Sequence, residues 1–292
     1  MADPVSDPVY RGYDAQEFER QYNARMQVPD SESIVAGFGE ASARLRDRAG
    51  CRLDIAYGPS GRERLDVFPG AGQRCPVILY IHGGYWRSRD KSSYSFLADP
   101  LVQAGATVVV VGYSHCPHVT VEQIVRQIRG ACVWVWNNIE EYGGDHHRFY
   151  VAGNSAGGHL SAMMAATEWP EVDHALPTDL VKGAMSLSGI FDLEPLLLHS
   201  LNDTLNLDNA SARRNSPIHL KPTLGGPFIS AVGGDESDEF KRQSRELAEA
   251  WQQAGAAAEY VEVAGRNHFS IVGDLVQPDY VLLRRLKSIL GV

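Results

Sequence analysis

Gly153-Asn154-Ser155-Ala156-Gly157 sets a serine between two glycines, each two residues away. A short apolar run, residues 149–152, precedes it, and small helix-compatible residues, 159–166, follow. Strand, sharp turn and helix with a serine at the apex is the arrangement a nucleophile needs. The turn forces the serine into a strained backbone conformation, and glycines on either side remove the side chains that would clash. The hydroxyl then stands clear of the sheet edge, at a helix N-terminus that favours developing negative charge.

A serine hydroxyl is a poor nucleophile at neutral pH, so the chain must also supply a base. Among ten histidines, His268 is the candidate. It lies in Gly265-Arg266-Asn267-His268-Phe269, after an apolar run ending at Val263 and before the last helical pattern. Loops of that kind, at the carboxyl ends of strands, are where a parallel sheet gathers its reactive groups. His268 is also the only histidine after His219, which completes the chain order serine, acid, histidine. Asp235 and Glu236 offer adjacent carboxylates after the run 228–232, with Asp192 as runner-up. His115 and His118 follow a strand end and would line a pocket rather than hold a metal. His146 and His147 sit at the wrong end of the serine's strand, and His159 is expected to pack.

Acyl transfer needs one thing more, donors for the oxyanion of a tetrahedral intermediate, each key donor contributing about 3–4 kcal/mol. His82-Gly83-Gly84 follows an apolar run, 76–81, and its glycines let backbone amides approach a substrate. The amides of Gly83 and Gly84, with that of Ala156 after the serine, are the expected donors. Tyr85 and Trp86 are expected to wall the pocket and stack on an aromatic substrate; for Trp86, core packing competes with that role.

The elements that must position these residues alternate regularly. Residues 53–57 and 64–68 alternate apolar and polar about a Gly58-Pro59-Ser60-Gly61 turn and read as a hairpin. Buried strands are expected at 76–81, 107–111, 149–152, 181–187, 228–232 and 259–263. Helices are expected at 93–103, from Thr120 to about 142, after the serine, at 238–254 and at 270–290. Strands separated by helical patterns mean an α/β fold with a mainly parallel sheet covered on both faces. Residues 1–292 are read as one domain, with 1–49 a polar, helical segment (helices at 14–23 and 31–48) packed on it as an appendage or as a flap over the pocket mouth. Residues 191–227 show no clear period and would hold short helices beside the pocket.

A net charge of −9 argues against nucleic acid or anionic membrane as a partner. No apolar run reaches the roughly 18 residues that span a bilayer. Met1-Ala2-Asp3-Pro4 has none of the features of a secretory leader. The four cysteines, Cys51, Cys75, Cys116 and Cys132, lack C-x-x-C spacing, so reduced thiols in the cytoplasm are expected, without metal or disulfide.

With the elbow, His82-Gly83-Gly84-Tyr85-Trp86 and His268 in order, the chain resembles α/β-hydrolases of the esterase/lipase group. More narrowly it resembles kynurenine formamidase (arylformamidase), whose hallmark is His-Gly-Gly-x-Trp. Glu19-Arg20-Gln21-Tyr22-Asn23, Ser237-Asp238-Glu239-Phe240 and His268-Phe269-Ser270-Ile271 extend the likeness over nearly the whole chain. Asn23-Ala24-Arg25 departs from the Ser-Pro-containing continuation of the animal enzymes. The resemblance implies a Ser155–His268–Glu236 triad, because the acid in such hydrolases sits three residues past the glycine that ends its strand, here Gly233. It further implies a small carboxylic ester as substrate, with an aryl formamide such as N-formylkynurenine as the alternative, an acyl-enzyme route and no cofactor. A silent small-molecule receptor of the same fold is the reading from another class. The oligomeric state is left open.

Overall fold

The structure, a computed structural model, describes residues 8–48 and 50–292. Met1–Pro4 therefore lies outside the described residues. Eight strands form one sheet: β1 (Arg52–Ala56), β2 (Arg64–Phe68), β3 (Cys75–Ile81), β4 (Thr107–Val111), β5 (Gly144–Asn154), β6 (Ala184–Leu187), β7 (Phe228–Gly233) and β8 (Ala258–Val263). Their order across the sheet is β1-β2-β4-β3-β5-β6-β7-β8. The β1–β2 hairpin and the β2–β4 pairing are antiparallel; every other pairing is parallel. Strands of a parallel sheet are buried on both faces, and β3 and β4 are buried from end to end and almost wholly apolar for that reason.

Alternate residues of each strand point to opposite faces. Val77, Leu79 and Ile81 of β3 join one apolar cluster, and Ile78 and Tyr80 the other. Twelve helices cover the two faces: α1 (Ala15–Tyr22), α2 (Ala24–Gln27), α3 (Ser31–Arg46), α4 (Ala98–Gln103), α5 (Val121–Asn138), α6 (Ala156–Ala165), α7 (Trp169–Val172), α8 (Asn202–Leu205), α9 (Asn209–Arg214), α10 (Asp238–Gln253), α11 (Ser270–Gly273) and α12 (Val281–Leu290). Residues of α1, α5, α6 and α10 enter the first cluster; residues of α3, α4, α11 and α12 enter the second. The N-terminal segment thus contributes to both faces. It is fastened to the sheet by a buried charge cluster, in which Asp66 of β2 accepts from Arg46 and from Lys91 Nζ at 2.7 Å.

Two helical expectations are corrected by prolines. In place of one helix over 93–103 the chain makes two 3₁₀ turns before α4. The Pro100 ring would clash with the carbonyl of Phe96, so a helix cannot extend back past that residue. In place of one helix over 270–290 there are α11, a 3₁₀ turn and α12. Gln277, immediately before Pro278, is extended at φ −79° and ψ 124°, as a residue preceding proline prefers. The region without period, 191–227, holds α8, α9 and short 3₁₀ turns. No helix among the described residues is long and apolar enough to cross a membrane.

Candidate active site

β5 ends at Asn154 and α6 begins at Ala156, leaving Ser155 alone at the turn with φ 55° and ψ −120°. This is a strained conformation for a residue with a side chain. Two things hold it there. The Ser155 N–H donates to the Leu187 carbonyl at the end of β6, at 2.7 Å. Gly157 lets α6 lie against β3, where a Cβ would collide with the Ile81 carbonyl oxygen. The amide of Ala156, the first residue of α6, is one of the helix's orphan donors and points its dipole end at the elbow.

β3 runs into the His82–Trp86 loop beside the elbow. Gly84 has φ +123°, and Tyr85 and Trp86 follow at +51° and +55°. A Cβ on Gly84 would collide with the Ser88 carbonyl oxygen, so only glycine fits. The loop is tied to the elbow by Asn154, whose Oδ1 accepts both the Gly83 N–H at 3.1 Å and the Tyr80 hydroxyl at 3.0 Å. This corrects one expectation, since the Gly83 amide is already occupied. The amide of Gly84 has no protein partner among the described residues. Asn154 was not singled out from the sequence. It sits next to the serine, but its pairing reaches back 71 residues to Gly83, and no local pattern signals that.

His82 is stacked on Tyr113 (ring centroids 4.4 Å apart, 11° between planes). Its Nδ1–H donates to the Gly83 carbonyl at 2.7 Å, and burial pushes its pKa down to about 4. It is a neutral strut of the loop. His159 is neutral for the same reason, its pKa lowered to about 4, with Nε2–H donating to the Asn215 carbonyl at 2.6 Å.

Glu236 and His268 meet across the loops that follow β7 and β8. Glu236 Oε2 lies 2.6 Å from His268 Nδ1. The other oxygen, Oε1, accepts from the Ser188 hydroxyl at 2.5 Å and from the Gly233 N–H at 2.7 Å. Both carboxylate oxygens are therefore fixed, and the side chain is 2% exposed. Asp235 is exposed. Asp192 lies elsewhere, its carboxylate accepting from the Glu194 N–H at 3.0 Å. Ser188, with φ 54° just past the end of β6, is a further residue that the sequence reading missed. The Phe240 ring, 4.7 Å from that of His268, covers the imidazole.

Ser155 and His268 line one cavity of about 350 Å³, together with Gly84, Tyr85, Asn154, Phe38, Tyr94 and Phe269. Trp86 is not in this wall. It is fully buried and stands edge-on to His159 at 5.0 Å, so the pocket role expected for it is corrected to core packing. Tyr85, the residue before it, keeps its place in the cavity wall. His115 and His118 line a neighbouring cavity with Arg62 and Arg87.

The opposite wall comes from the N-terminal segment. Asn23, Ala24 and Arg25 line the cavity, with Phe38 from α3 and Leu201 beyond. α1 is held by polar contacts. The Glu19 carboxylate accepts from the Ser200 N–H and hydroxyl at 2.7 and 2.8 Å. The Tyr22 hydroxyl donates to Glu239 at 2.6 Å, and the Ser237 hydroxyl donates to the Gln21 carbonyl at 2.6 Å. Ser237 directly follows Glu236, so the same segment borders both the cavity and the acid's loop.

The geometry has counterparts. A BD-FAE family model matches residues 65–215. Kynurenine formamidase of Danio rerio is 35% identical over 288 residues, covering 94% of this chain and 96% of that protein. Esterase LipQ of Mycobacterium tuberculosis is 30% identical over 238 residues, covering 74% of this chain and 56% of that protein. A Silicibacter protein provisionally assigned as a thioesterase superposes with a TM-score of 0.83 at 27% identity, covering 94% of this chain and 99% of the other.

Proposed function

The chain belongs to the kynurenine formamidase family of α/β-hydrolases and is a hydrolase of ester or amide bonds; within that activity, we propose that Ser155 is the nucleophile of an acyl-enzyme mechanism acting on small carboxylic esters. The observation that carries the proposal is that Ser155 shares its cavity with His268, whose Nδ1 is bonded to Glu236. With Nδ1 so engaged, Nε2 is left to take the Ser155 proton as Oγ bonds to the substrate's carbonyl carbon. The amides of Gly84 and Ala156 hold the oxyanion. The protonated His268 then gives its proton to the departing oxygen or nitrogen, leaving an acyl-Ser155. Water, deprotonated by His268, attacks the acyl carbon, and Ser155 leaves with the proton returned. Glu236 holds the imidazole in place and stabilises the imidazolium.

A second reading, hydrolysis of an aryl formamide, has its own support. The kynurenine formamidase relatives match over nearly their full length, including the N-terminal segment that lines the cavity, whereas LipQ matches over 74% of this chain. The two readings share the steps above and differ in the acyl group, formyl or longer, and in whether nitrogen or oxygen leaves. A cavity of about 350 Å³ with four aromatic side chains favours a compact, aromatic substrate in both.

The test is kcat/KM on p-nitrophenyl acetate, butyrate and octanoate beside N-formylkynurenine, with phosphonate labelling of Ser155. We expect labelling, and acetate and butyrate well ahead of octanoate. A preference for N-formylkynurenine by several orders of magnitude would exchange the two readings. A serine inert to phosphonate would favour a receptor.

A further inference from the structure

The cavity wall holds three arginines, Arg25, Arg87 and Arg89, and no aspartate or glutamate. In a chain of net charge −9 that asymmetry needs an account. The nearest carboxylates are committed elsewhere. Glu236 is held by His268, Ser188 and Gly233, and Glu19 by Ser200. Glu32 lies between two of the arginines, 3.0 Å from Arg89 and 3.4 Å from Arg25, so one negative charge answers two positive ones. Arg87 has no carboxylate partner among the described residues. Its one side-chain contact is to the Thr204 hydroxyl, 3.4 Å away. The Tyr85 hydroxyl, on the same loop and in the same wall, is buried and likewise has no hydrogen-bond partner among the described residues.

A guanidinium and a phenol hydroxyl are both donors, and the wall offers them no matching acceptor. Arg87 is exposed, so water serves its guanidinium in the free chain, but the buried Tyr85 hydroxyl has no such recourse, and a ligand that brings an acceptor serves both. A carboxylate suits the planar fork of arginine, and its charge strengthens each bond. The neighbouring aromatic rings, Phe38, Tyr94 and Phe269, would hold an aryl group between that anion and Ser155.

We infer that Arg87 is a specificity-determining residue, selecting substrates that carry an anionic substituent on an aromatic portion. The inference rests on the serine hydrolase reading and deepens it: the charge preference belongs to the pocket and holds for an ester as well as for a formamide.

The test compares 4-acetoxybenzoate with its neutral methyl ester, and 4-formamidobenzoate with its methyl ester, on the full chain. The quantity read is the ratio of kcat/KM, anionic over neutral, which cancels any general loss of activity in a variant. Arg87→Gln should lower the ratio about tenfold, the worth of one charge-assisted bond, through KM rather than kcat. Arg87→Lys should keep most of it. Added salt should reduce the ratio in the wild type and leave Arg87→Gln nearly flat. A ratio within twofold of wild type in Arg87→Gln would overturn the inference while leaving the hydrolase intact. Failure of the wild type on both pairs would instead sink the underlying reading, and the inference with it.

Discussion

The cavity has two unlike walls. One is built of backbone: the elbow at Ser155, the Gly84 turn and the loop of His268, each fixed where a strand ends and each requiring a special φ or a residue without a side chain. The other is built of side chains: Asn23, Ala24, Arg25 and Leu201, held in place by the Glu19, Gln21 and Tyr22 contacts of α1. Backbone geometry tolerates almost no change, because strain is relieved only by moving the chain. Individual side-chain hydrogen bonds are worth about 1 kcal/mol net each and can be traded. On the proposed mechanism the chemistry belongs to the first wall, and selectivity to the side chains of the second together with Arg87 at the end of the Gly84 turn; the contrast can be broken at either.

The largest effect should come from Ser155→Ala, which removes the proposed nucleophile and only a single oxygen atom from the fold. Ester turnover should fall at least about a thousandfold with the thermal midpoint unchanged; appreciable residual turnover would point to another nucleophile. Glu236→Gln should lower kcat by about a hundredfold or more if Glu236 is the triad acid we propose, since such an acid fixes the imidazole tautomer and stabilises the imidazolium. Exposed Asp235→Asn should stay within about tenfold. Reversal of that pair of results would move the acid by one residue.

A third prediction sets the rigid wall against acid. His82 and His159 are fully buried, with pKa values pushed down to about 4, against about 6.5 in the unfolded chain. As pH falls below about 6.5 the unfolded chain takes up these protons first, so folding is weakened. The loss is up to about 1.4 kcal/mol per pH unit per histidine on the way down to about 4, and stability is fully present above that window. Urea unfolding between pH 7 and pH 4.5 measures the slope. His115, also lowered to about 4, and His199, lowered as well, add to the same slope, so His159→Gln should remove a part of it; an unaltered slope would place its origin elsewhere.

The smallest effect is expected on the other wall. Glu19→Gln weakens the clasp on Ser200 and should raise KM several-fold while kcat stays within about twofold. A matching fall in kcat would show that α1 sets the acid's position as well, through Ser237. Removing the whole segment is a blunter test, because Phe18 and Tyr22 are core residues.

What the sequence revealed follows the same division. The elbow, the Gly-Gly turn and the loop of His268 were legible because strained backbone admits few residue types, and those types stand close together along the chain. The parallel sheet was legible from its unbroken apolar runs. Hidden were the pairings that close over distance: Asn154 on Gly83, and Ser188 on Glu236, 48 residues apart. Any residue with the right atom would serve there, so no local pattern marks them. Trp86 misled for a related reason, since the residue type suits a pocket wall and its packing against His159 is a contact distant along the chain. The break at Pro278 lies inside a stretch that is apolar on both sides, which reads as one helix until the proline is weighed.

The bond from Tyr22 to Glu239 spans 217 residues. A contact of such separation forms late, because closing so long a loop must wait for the intervening sheet to condense. We expect chain order and assembly order to be inverted, with α1 docking after the later strands are in place, an order that pulsed hydrogen exchange would read. Until α1 docks, Phe18, Tyr22 and the groove that receives them lie bare, the kind of transient apolar exposure that invites self-association. The last wall of the cavity is then completed only on a chain whose sheet is already in place.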